Sequence, residues 1–350
     1  MRLTVLTSNN KGGVLQFAQV IAKYSAAFVD SVVLVVPENA EIQDYNGTIY
    51  GYKAKSTLNL NDKNYKDVAD YIIHNSDAVI ICDDALIGSA ISIIISKVLP
   101  VLLIVHDVRP HYANGIKLMK RRIKLFVTEK AYKVVLAICL LSESSKSDFL
   151  NDYPLYKDKT ISVKLGAHLT TDLMKKPLEL NDINDYILFF GRIEKYKGLD
   201  RLLREYHLSK SKAIPPLVIA GAGDISDYEQ LNNGKIIYVN RYIADEEMNW
   251  LFANCRVVVL PYTSATQSGI IPIAYHYNKP VLISNLLGLV ENVIEHKTGE
   301  VFRSDSEIMK KIEYIIEHEN EYDYIEKYYN DNYNWNTIVG QIISFVMKKI

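Results

Sequence analysis

Short apolar runs alternate along the whole chain with stretches in which apolar residues recur every three or four positions. Runs of the first kind are typical of parallel strands buried on both faces, and stretches of the second kind predict helices. The runs predicted as strands are 3–8, 32–37, 78–84, 101–107, 133–142, 160–169, 187–190, 216–223, 256–262 and 280–284. One more strand is predicted inside 235–252, and 280–284 is the last clear one. This alternation predicts doubly wound α/β sheets that bind ligands at the carboxyl ends of their strands.

The predicted elements divide between two domains, because 350 residues are more than one core usually holds. Residues 170–185 are polar, contain one proline and lack strong periodicity, which predicts a linker. We therefore expect a first domain over 1–170 and a second over 183–332. Residues 333–350 predict a last helix that packs back towards the first domain.

The stretch 187–198, ILFFGRIEKYKG, combines a buried strand, a glycine turn and a loop with two cations that leads into a helix. The cations are Arg192 and Lys197, and Gly191 supplies the turn. Such an arrangement suits a pyrophosphate at the carboxyl end of a strand. A solvated basic turn before a surface helix has the same pattern, and these residues alone do not decide between the two.

Three other positions are candidates for ligand contact. Gly12 and Gly13 join the first strand to a helix, where backbone can approach a ligand closely or where glycine merely permits the turn. His106 ends a predicted strand and is interpreted either as a ligand contact or as a histidine satisfied within the protein. Ser268 and Gly269 open a helix, so that their amides can meet phosphate oxygens.

The segment 115–132, GIKLMKRRIKLFVTEKAY, predicts a basic amphipathic helix. Its apolar residues fall at spacings of three and four, and its cations are numerous. The apolar stripe is Ile116, Met119, Ile123, Phe126 and Val127, and the cations are Lys117, Lys120, Arg121, Arg122, Lys124 and Lys130. Such a helix can lie on an anionic membrane surface, or it can pack on its own domain with solvated lysines.

Charge and cysteine content exclude some classes of function. Lysine and arginine number 40 against 41 acidic residues, which argues against a general nucleic-acid binder. The three cysteines lie in or beside apolar runs without metal-type spacing, which predicts buried reduced thiols in a cytosolic protein. The opening MRLTVLTSNN reads as a strand rather than a signal peptide, and no run is a clear membrane span.

Several ordered motifs in the second half resemble the GT-B glycosyltransferases of retaining family 4 (glycosyl transferases group 1), in a form found in bacterial surface-polysaccharide assembly. They are FFGRIEKYKGLDRLL, LVIAGAG, VNRYIADEEMNWLFANCRVVVLPY, KPVLIS and GLVENVIEHKTGEVF. In the first half, KGGVLQFAQ, IVHD and ISVKLGAH fit more loosely. The resemblance implies two Rossmann-like domains facing a cleft. It also implies a nucleotide-diphospho-sugar donor, with UDP the expected nucleotide, in the second domain and an acceptor in the first.

The resemblance also implies residue roles. Arg192 and Lys197 correspond to the cations that assist the leaving diphosphate, and His106 to a histidine that contacts the donor sugar. The other donor-binding positions implied are Gly12, Gly13, Gly191, Arg241, Gln267, Ser268, Gly269 and Glu291. Glu291 is predicted to begin a helix, and Arg241 to lie in the base-binding loop. No metal or other cofactor is expected, because the leaving phosphate itself can accept the proton of the attacking hydroxyl.

One departure from the family pattern concerns two glutamates, normally separated by seven residues. Counted back from Pro280 without gaps, their positions hold Ala265 and Ile273, neither of which accepts a hydrogen bond. The neighbouring segment ATQSG resembles a variant in which Gln267 takes over part of the polar contacts. The departure motivates a second hypothesis beside an active transferase, a catalytically silent GT-B subunit that binds a partner transferase. A third hypothesis is another two-domain sugar-nucleotide enzyme, such as an epimerase, against which the order of the motifs argues.

Overall fold

The computed structural model describes the chain in two compact units. The described residues are all of 1–350 except 44, 54–62, 107, 109–117, 168, 170, 182, 210, 212–213, 229–233 and 266, with the backbone alone at 63, 64 and 118–121. One unit is Met1–Lys164 together with Trp335–Ile350, and the other is Leu165–Asn334. The segment 170–185 thus belongs to the second unit, and the last helix belongs to the first.

The first unit is built on a parallel sheet with seven strands in its described residues. The strands are β1 (Arg2–Leu6), β2 (Ser31–Pro37), β3 (Thr48–Tyr52), β4 (Ala78–Ile81), β5 (Val101–Val105), β6 (Ala137–Leu140) and β7 (Thr160–Ser162). Their spatial order is β3-β2-β1-β4-β5-β6-β7. The inner strands β4, β5 and β6 are buried along their whole length, because helices cover both faces of the sheet.

Six described helices surround this sheet. They are α1 (Gly13–Ser25), α2 (Lys63–Asn75), α3 (Leu86–Ile95), α4 (Leu118–Val134), α5 (Glu143–Asp152) and, from the end of the chain, α12 (Trp335–Met347). The ring of Trp335 meets Phe17 of α1 edge to face, with centroids 5.7 Å apart. The last helix therefore completes the core of the first unit, although the second unit separates it from the rest in sequence.

The second unit has a parallel sheet with six strands in its described residues. The strands are β8 (Ile187–Phe190), β9 (Leu217–Ala220), β10 (Ile236–Val239), β11 (Val257–Leu260), β12 (Val281–Ser284) and β13 (Gly299–Phe302). The described helices are α6 (Leu199–Leu208), α7 (Asp245–Asn254), α8 (Ile270–His276), α9 (Leu287–Val290), α10 (Ile308–Glu317) and α11 (Ile325–Asn332). The spatial order of the strands is β10-β9-β8-β11-β12-β13.

The predicted fold class, two doubly wound α/β domains, is confirmed. In each sheet the winding direction reverses beside the first strand, between β1 and β4 in one unit and between β8 and β11 in the other. Ligands of open parallel sheets bind in the crevice that this reversal leaves at the carboxyl ends. The residues that follow these four strands are therefore the candidates for ligand contact.

Two predicted strand boundaries are wrong. The run 133–142 does not begin as a strand, because α4 continues to Val134 and β6 starts at Ala137. The Lys159 amine donates to the carbonyls of Lys133 and Val135, each at 3.1 Å, which stabilises this helix end.

The segment 280–284 is not the last strand either, because β13 follows it. Glu300 in β13 is fully buried, and its carboxylate accepts hydrogen bonds from Lys311 Nζ at 2.6 Å and Tyr322 Oη at 3.2 Å. A charged residue in the middle of a four-residue strand hides that strand from a search for apolar runs.

The apolar stripe predicted for 115–132 does not pack as one face. Val127 is buried, whereas Ile123 and Phe126 are 45% and 59% exposed. The inward side of α4 is formed instead by Val127, Thr128, Ala131 and Tyr132. Ile116 lies outside the described residues, as does the side chain of Met119. The described part of α4 therefore presents an apolar surface to solvent.

Cys82, Cys139 and Cys255 are buried and form no disulfide, as predicted. Burial raises the pKa of Cys139 and Cys255 to about 12, which makes both thiols unreactive at neutral pH. Among the described residues, no helix is both long and apolar enough to cross a bilayer.

Candidate functional site

The turn after β8 places a lysine amine directly over a glycine. Gly191 has φ +111°, and a methyl group in place of its hydrogen would collide with Lys197 Nζ. Only glycine adopts this backbone conformation readily and leaves the space that the amine fills. The glycine predicted for this turn therefore serves two purposes, the backbone conformation and the position of Lys197.

Lys197 is the half-buried cation of the site. Its ammonium lies 5.4 Å from the ring centroid of Tyr262, which follows β11. Burial lowers the pKa of Lys197, Arg192 lowers it further, and Glu194 opposes the shift. No carboxylate of the described residues lies within ion-pair distance of the amine. A half-buried ammonium without a paired anion has lost part of its hydration, which favours an anionic ligand.

Arg192 differs from Lys197 because its side chain is 77% exposed. It pairs with Glu194 at 3.0 Å, within the same turn. An exposed pair of this kind contributes little to stability, so that the guanidinium can exchange its partner for a ligand. The two predicted cations thus form one half-buried charge and one exposed charge.

The cationic turn is fastened to the end of β11. Thr263 donates to the Tyr196 carbonyl twice, from its amide at 2.8 Å and from its hydroxyl at 3.1 Å. Gly198 has φ +64°, and a side chain there would collide with the Pro261 carbonyl. These contacts join two loops that flank the reversal point of the second sheet.

Arg201, on α6, stabilises the same junction between the two loops. Its Nη1 donates to the carbonyls of Pro261 and Tyr262 at 3.0 and 3.1 Å, and its Nε donates to Asp305 at 2.8 Å. No sequence pattern indicates this role, because the two carbonyls belong to residues 60 and 61 positions away along the chain. Only the folded sheet brings them together.

The segment after β11 contributes polar groups to this junction. Ser268 hydrogen-bonds the Tyr262 hydroxyl, and burial raises the pKa of that phenol to about 12. The Ser268 hydroxyl also accepts from the Ile270 amide at 3.3 Å, and Gly269 caps α8. The Gln267 carbonyl oxygen is shielded from solvent, and the described residues offer it no hydrogen-bond donor. A buried acceptor without a donor favours a ligand hydroxyl as its partner.

Ala265 and Ile273 stand at the positions where the family pattern has glutamates. Ala265 packs against the hydrophobic core of the second unit, and Ile273 is itself a buried member of that core. Because a carboxylate at Ile273 would lose its hydration there, the apolar side chain fits its surroundings. The hydroxyl acceptors expected of the family are absent from both side chains.

The sequence predicted that Glu291 begins a helix, but it does not. It caps the carboxyl end of the short helix α9, and its amide donates to the Leu287 carbonyl at 3.4 Å. The side chain is half-buried. The prediction was wrong because the apolar sequence NLLGLV forms one turn of helix before Glu291 instead of a loop.

Arg241 has its guanidinium occupied by two carboxylates. Glu179 accepts from Nε and Nη2 at 2.8 and 2.9 Å, and Glu247 accepts from Nη1 and Nη2 at 2.6 and 2.9 Å. The guanidinium lowers the pKa of both carboxyl groups. This clamp ties the 3-10 turn Leu178–Leu180 to α7. A ligand beside Arg241 would therefore contact the main chain of this loop, because the guanidinium is already paired with two carboxylates.

In the first unit, the glycines and the histidine predicted from the sequence lie around α1. Gly12 has φ +81° and precedes α1, and no atom of the described part of the chain lies within 4 Å of a side chain built at Gly12 or Gly13. His106 follows β5, and its ring meets Phe17 of α1 edge to face at 5.2 Å. The structure thus groups Gly12, Gly13 and His106 in one unit, and Gly191, Arg192, Lys197 and 267–269 in the other.

The tautomer of His106 is fixed by the protein. Its Nε2 lies 2.9 Å from the Cys82 carbonyl, which can only accept a hydrogen bond. Nε2 therefore carries the proton, and in the neutral ring Nδ1 is an acceptor. This arrangement suits a ligand hydroxyl and combines both sequence interpretations, since one nitrogen is satisfied internally and the other is left for a ligand.

The described residues contain no group of three or more His, Cys, Asp or Glu side chains that could hold a metal ion. Metal independence stays a prediction.

Comparison with solved structures identifies the fold. HepE of Anabaena in complex with UDP has a TM-score of 0.75 at 15% identity, covering 99% of this chain and 100% of that one. The same protein with UDP-glucose gives 0.69 at 14% identity, covering 99% and 100% of the two chains. The lipopolysaccharide outer core galactosyltransferase WaaB gives 0.68 at 12% identity, covering 100% of both. The fold is that of GT-B glycosyltransferases.

Sequence comparison gives a narrower match. Residues 170–331 match the family model described as Glycosyl transferases group 1. An uncharacterized glycosyltransferase of Methanocaldococcus jannaschii is 24% identical over 49% of this chain. The matched part spans about half of that relative, 46% of its length. The family model thus covers the unit that contains Lys197 and Arg192.

Proposed function

We propose that this protein is a metal-independent retaining glycosyltransferase. It transfers a hexose or N-acetylhexosamine from a nucleotide-diphospho-sugar, with UDP the expected nucleotide, to a growing surface polysaccharide or oligosaccharide, including a lipid-linked one. The observation that carries the proposal is the half-buried ammonium of Lys197, which has no carboxylate partner among the described residues at the reversal point of the second sheet. The group-1 family match and the UDP complexes of HepE support it.

The reaction requires stabilisation of negative charge on the leaving group. As the bond between sugar and diphosphate breaks, negative charge develops on the diphosphate, and Lys197 and Arg192 stabilise it. A fixed cation in a site that excludes water contributes most to such stabilisation. The acceptor hydroxyl attacks on the face that the diphosphate leaves, and its proton passes to a diphosphate oxygen.

Hydroxyl recognition in the second unit falls to Gln267 in this proposal. Ala265 and Ile273 offer no acceptor, whereas the Gln267 carbonyl oxygen is buried and without a described donor. A hydroxyl of the nucleotide or of its sugar would satisfy it. His106, through Nδ1, contributes a second acceptor from the first unit.

Donor binding provides the first test, with Arg192 as the probe. UDP should raise the melting temperature of the wild type, since a ligand at 100 times its Kd stabilises by about 2.7 kcal/mol. In Arg192→Ala we expect UDP to bind at least ~10-fold more weakly, because one charged hydrogen-bond donor is lost. The measurement is UDP titration by calorimetry, preceded by a thermal-shift screen of nucleotide sugars.

Arg204→Ala is the matched control, because Arg204 is another exposed arginine of the same unit, paired with Asp200 on α6. Its UDP affinity should equal that of the wild type. Equal affinities for all three proteins would contradict the role given to Arg192.

The apolar residues at Ala265 and Ile273 also favour a second candidate, a catalytically silent subunit that binds and supports a partner transferase. Failure of every nucleotide sugar to bind would support it over the transferase. Formation of a new nucleotide sugar without an acceptor would instead point to an epimerase.

The exposed face of α4 supports a location at the inner face of the plasma membrane within this proposal. Ile123, Leu125 and Phe126 are exposed, and the Lys130 ammonium lies 4.8 Å from the Phe126 ring centroid. Apolar side chains with adjacent cations match the interface of an anionic bilayer, where rings enter the acyl boundary and amines meet phosphates. A lipid-linked acceptor would reach the enzyme at such a surface.

Vesicle binding tests this contact. Phe126→Asp should lower partitioning onto phosphatidylglycerol vesicles by at least ~10-fold, since it removes an exposed aromatic ring that the bilayer would bury and adds a repelled charge. The control is Leu208→Asp, an exposed leucine at the end of α6 in the second unit. Co-sedimentation measures both, and equal binding of Phe126→Asp and the wild type would contradict the contact.

A further inference from the structure

A buried carboxylate at the end of β4 holds the loop that follows β1. Asp83 is 3% exposed. Its Oδ2 accepts hydrogen bonds from Thr7 Oγ1 at 2.9 Å and the Ser8 amide at 2.7 Å. Its Oδ1 accepts from Ser8 Oγ at 2.7 Å and the Ala85 amide at 3.2 Å. Three of these four donors belong to the first two residues after β1.

On its other side, Asp83 packs closely against α3. A side chain on Gly88, in the first turn of α3, would lie 2.7 Å from Asp83 Oδ1. The glycine therefore leaves the space that the carboxylate occupies. Thr7 Oγ1, which donates to Asp83, also accepts the Asn9 amide at 3.2 Å and extends the restraint one residue further.

Among the described residues, the far end of the same loop is open. None of their atoms lies within 4 Å of a side chain built on Gly12 or Gly13, and Gly12 has a positive φ. A loop with one end fixed by a buried carboxylate and the other end open can hold its exposed backbone in one conformation before any ligand binds. Such preorganisation lowers the entropy lost on binding.

The charge of Asp83 also indicates which kind of ligand the loop binds. The described residues place no cation within ion-pair distance of this carboxylate, so hydrogen bonds alone compensate it. The donors that would meet a phosphate at the end of a first strand are here occupied by the protein's own anion. A neutral ligand rich in hydroxyls fits this loop better than an anion, which the carboxylate would repel.

We propose that Asp83 is a positioning residue, which fixes the loop Ser8–Gly13 to receive the hydroxyl groups of a sugar and not a phosphate. The inference rests on the proposed function, because the sugar in question is the one transferred or the one that accepts it. Asp83 touches no reacting atom in this proposal and acts through the loop.

The test compares Asp83→Asn with Asp77→Asn. An asparagine oxygen accepts fewer hydrogen bonds, and its amino group faces donors, so the loop should lose its restraint. Asp77 is a carboxylate at the other end of β4, and it accepts from the Arg2 amide at 2.7 Å and from the Arg2 guanidinium at 2.8 Å. Each variant thus replaces a carboxylate that joins the same pair of strands, at opposite ends, one buried and one about half exposed.

In Asp83→Asn we expect kcat for sugar transfer to fall by about 10- to 100-fold. The Kd for UDP should stay within about twofold, since the second unit holds the diphosphate. Amide hydrogen exchange over residues 8–13 should become at least ~10-fold faster. Asp77→Asn should leave kcat and the exchange of this loop unchanged.

Ser8→Ala provides a second variant if Asp83→Asn does not fold, with a smaller loss of kcat and of protection. An unchanged exchange rate over 8–13 in Asp83→Asn, or an equal loss of kcat in Asp77→Asn, would overturn the positioning role. A wild type that transfers no sugar would contradict the proposed function instead, and the exchange measurement would still decide whether Asp83 holds the loop.

Discussion

Replacement of Lys197 by alanine should reduce the rate of sugar transfer by about 10³-fold, which is the loss seen when a single preorganised charge-stabilising donor is removed. The amine lies between Gly191 and Tyr262 and is half-buried, whereas Arg192 and Lys195, the other cations of this turn, are exposed. Steady-state kinetics with a nucleotide sugar and an acceptor glycan measures the effect. Full activity in Lys197→Ala would refute the role assigned to it.

Lys195→Ala is the matched control. Lys195 lies two residues away in the same 3-10 turn, but its side chain is exposed. Its charge is screened by solvent, so we expect turnover within about twofold of the wild type. A comparable loss in both variants would show that total charge matters and that burial does not.

The pH dependence of donor binding separates the two lysines further. Because burial lowers the pKa of Lys197, its ammonium loses its proton at a lower pH than an ordinary lysine. The affinity for UDP should therefore decrease as pH rises through this lowered pKa. The decrease should be absent in Lys197→Ala and should persist in Lys195→Ala.

Replacement of Gly221 by alanine should destabilise the second unit by about 3 kcal/mol or more, the sum of backbone strain and an imposed clash. Gly221 follows β9 with φ +146°, and a methyl group there would collide with the Gly191 carbonyl. The substitution thus forces apart two turns at the carboxyl edge of the sheet. Chemical unfolding followed by circular dichroism measures the loss, and UDP binding should weaken with it.

Gly234→Ala is the comparison for this prediction. Gly234 also has a positive φ, +82°, but a side chain there meets no atom of the described residues within 4 Å. Strain without a clash should cost about 1–2 kcal/mol. Equal destabilisation by the two substitutions would show that the contact between Gly221 and Gly191 does not matter.

The alternation of apolar runs and helical periodicity was sufficient to predict the fold class. Strands buried on both faces must be apolar throughout, as Val101–Val105 is, so their signal survives without any knowledge of neighbours. Where a strand contains a charge satisfied by distant residues, as at Glu300, the signal disappears. The hydrogen-bond partners of Glu300 are 11 and 22 residues away along the chain, and no local sequence pattern indicates them.

The candidate site was predicted in part. Gly191, Arg192 and Lys197 could be recognised because strand, turn and cations are contiguous in sequence. Their different environments could not, since the burial of Lys197 depends on Tyr262 and the exposure of Arg192 on the absence of such a cover. Arg241 was expected near a base and is held by Glu179 and Glu247.

The sequence by itself determined that this chain forms two parallel α/β sheets and that a cationic glycine turn follows the first strand of the second. Both depend on local order: residue type, spacing and the conformations that glycine allows. The tertiary structure alone decided which cation is buried, that Asp83 restrains the loop after β1, and that α4 exposes Ile123 and Phe126. These depend on contacts between segments tens of residues apart, where burial and pairing, and not local propensity, set the energy of each group.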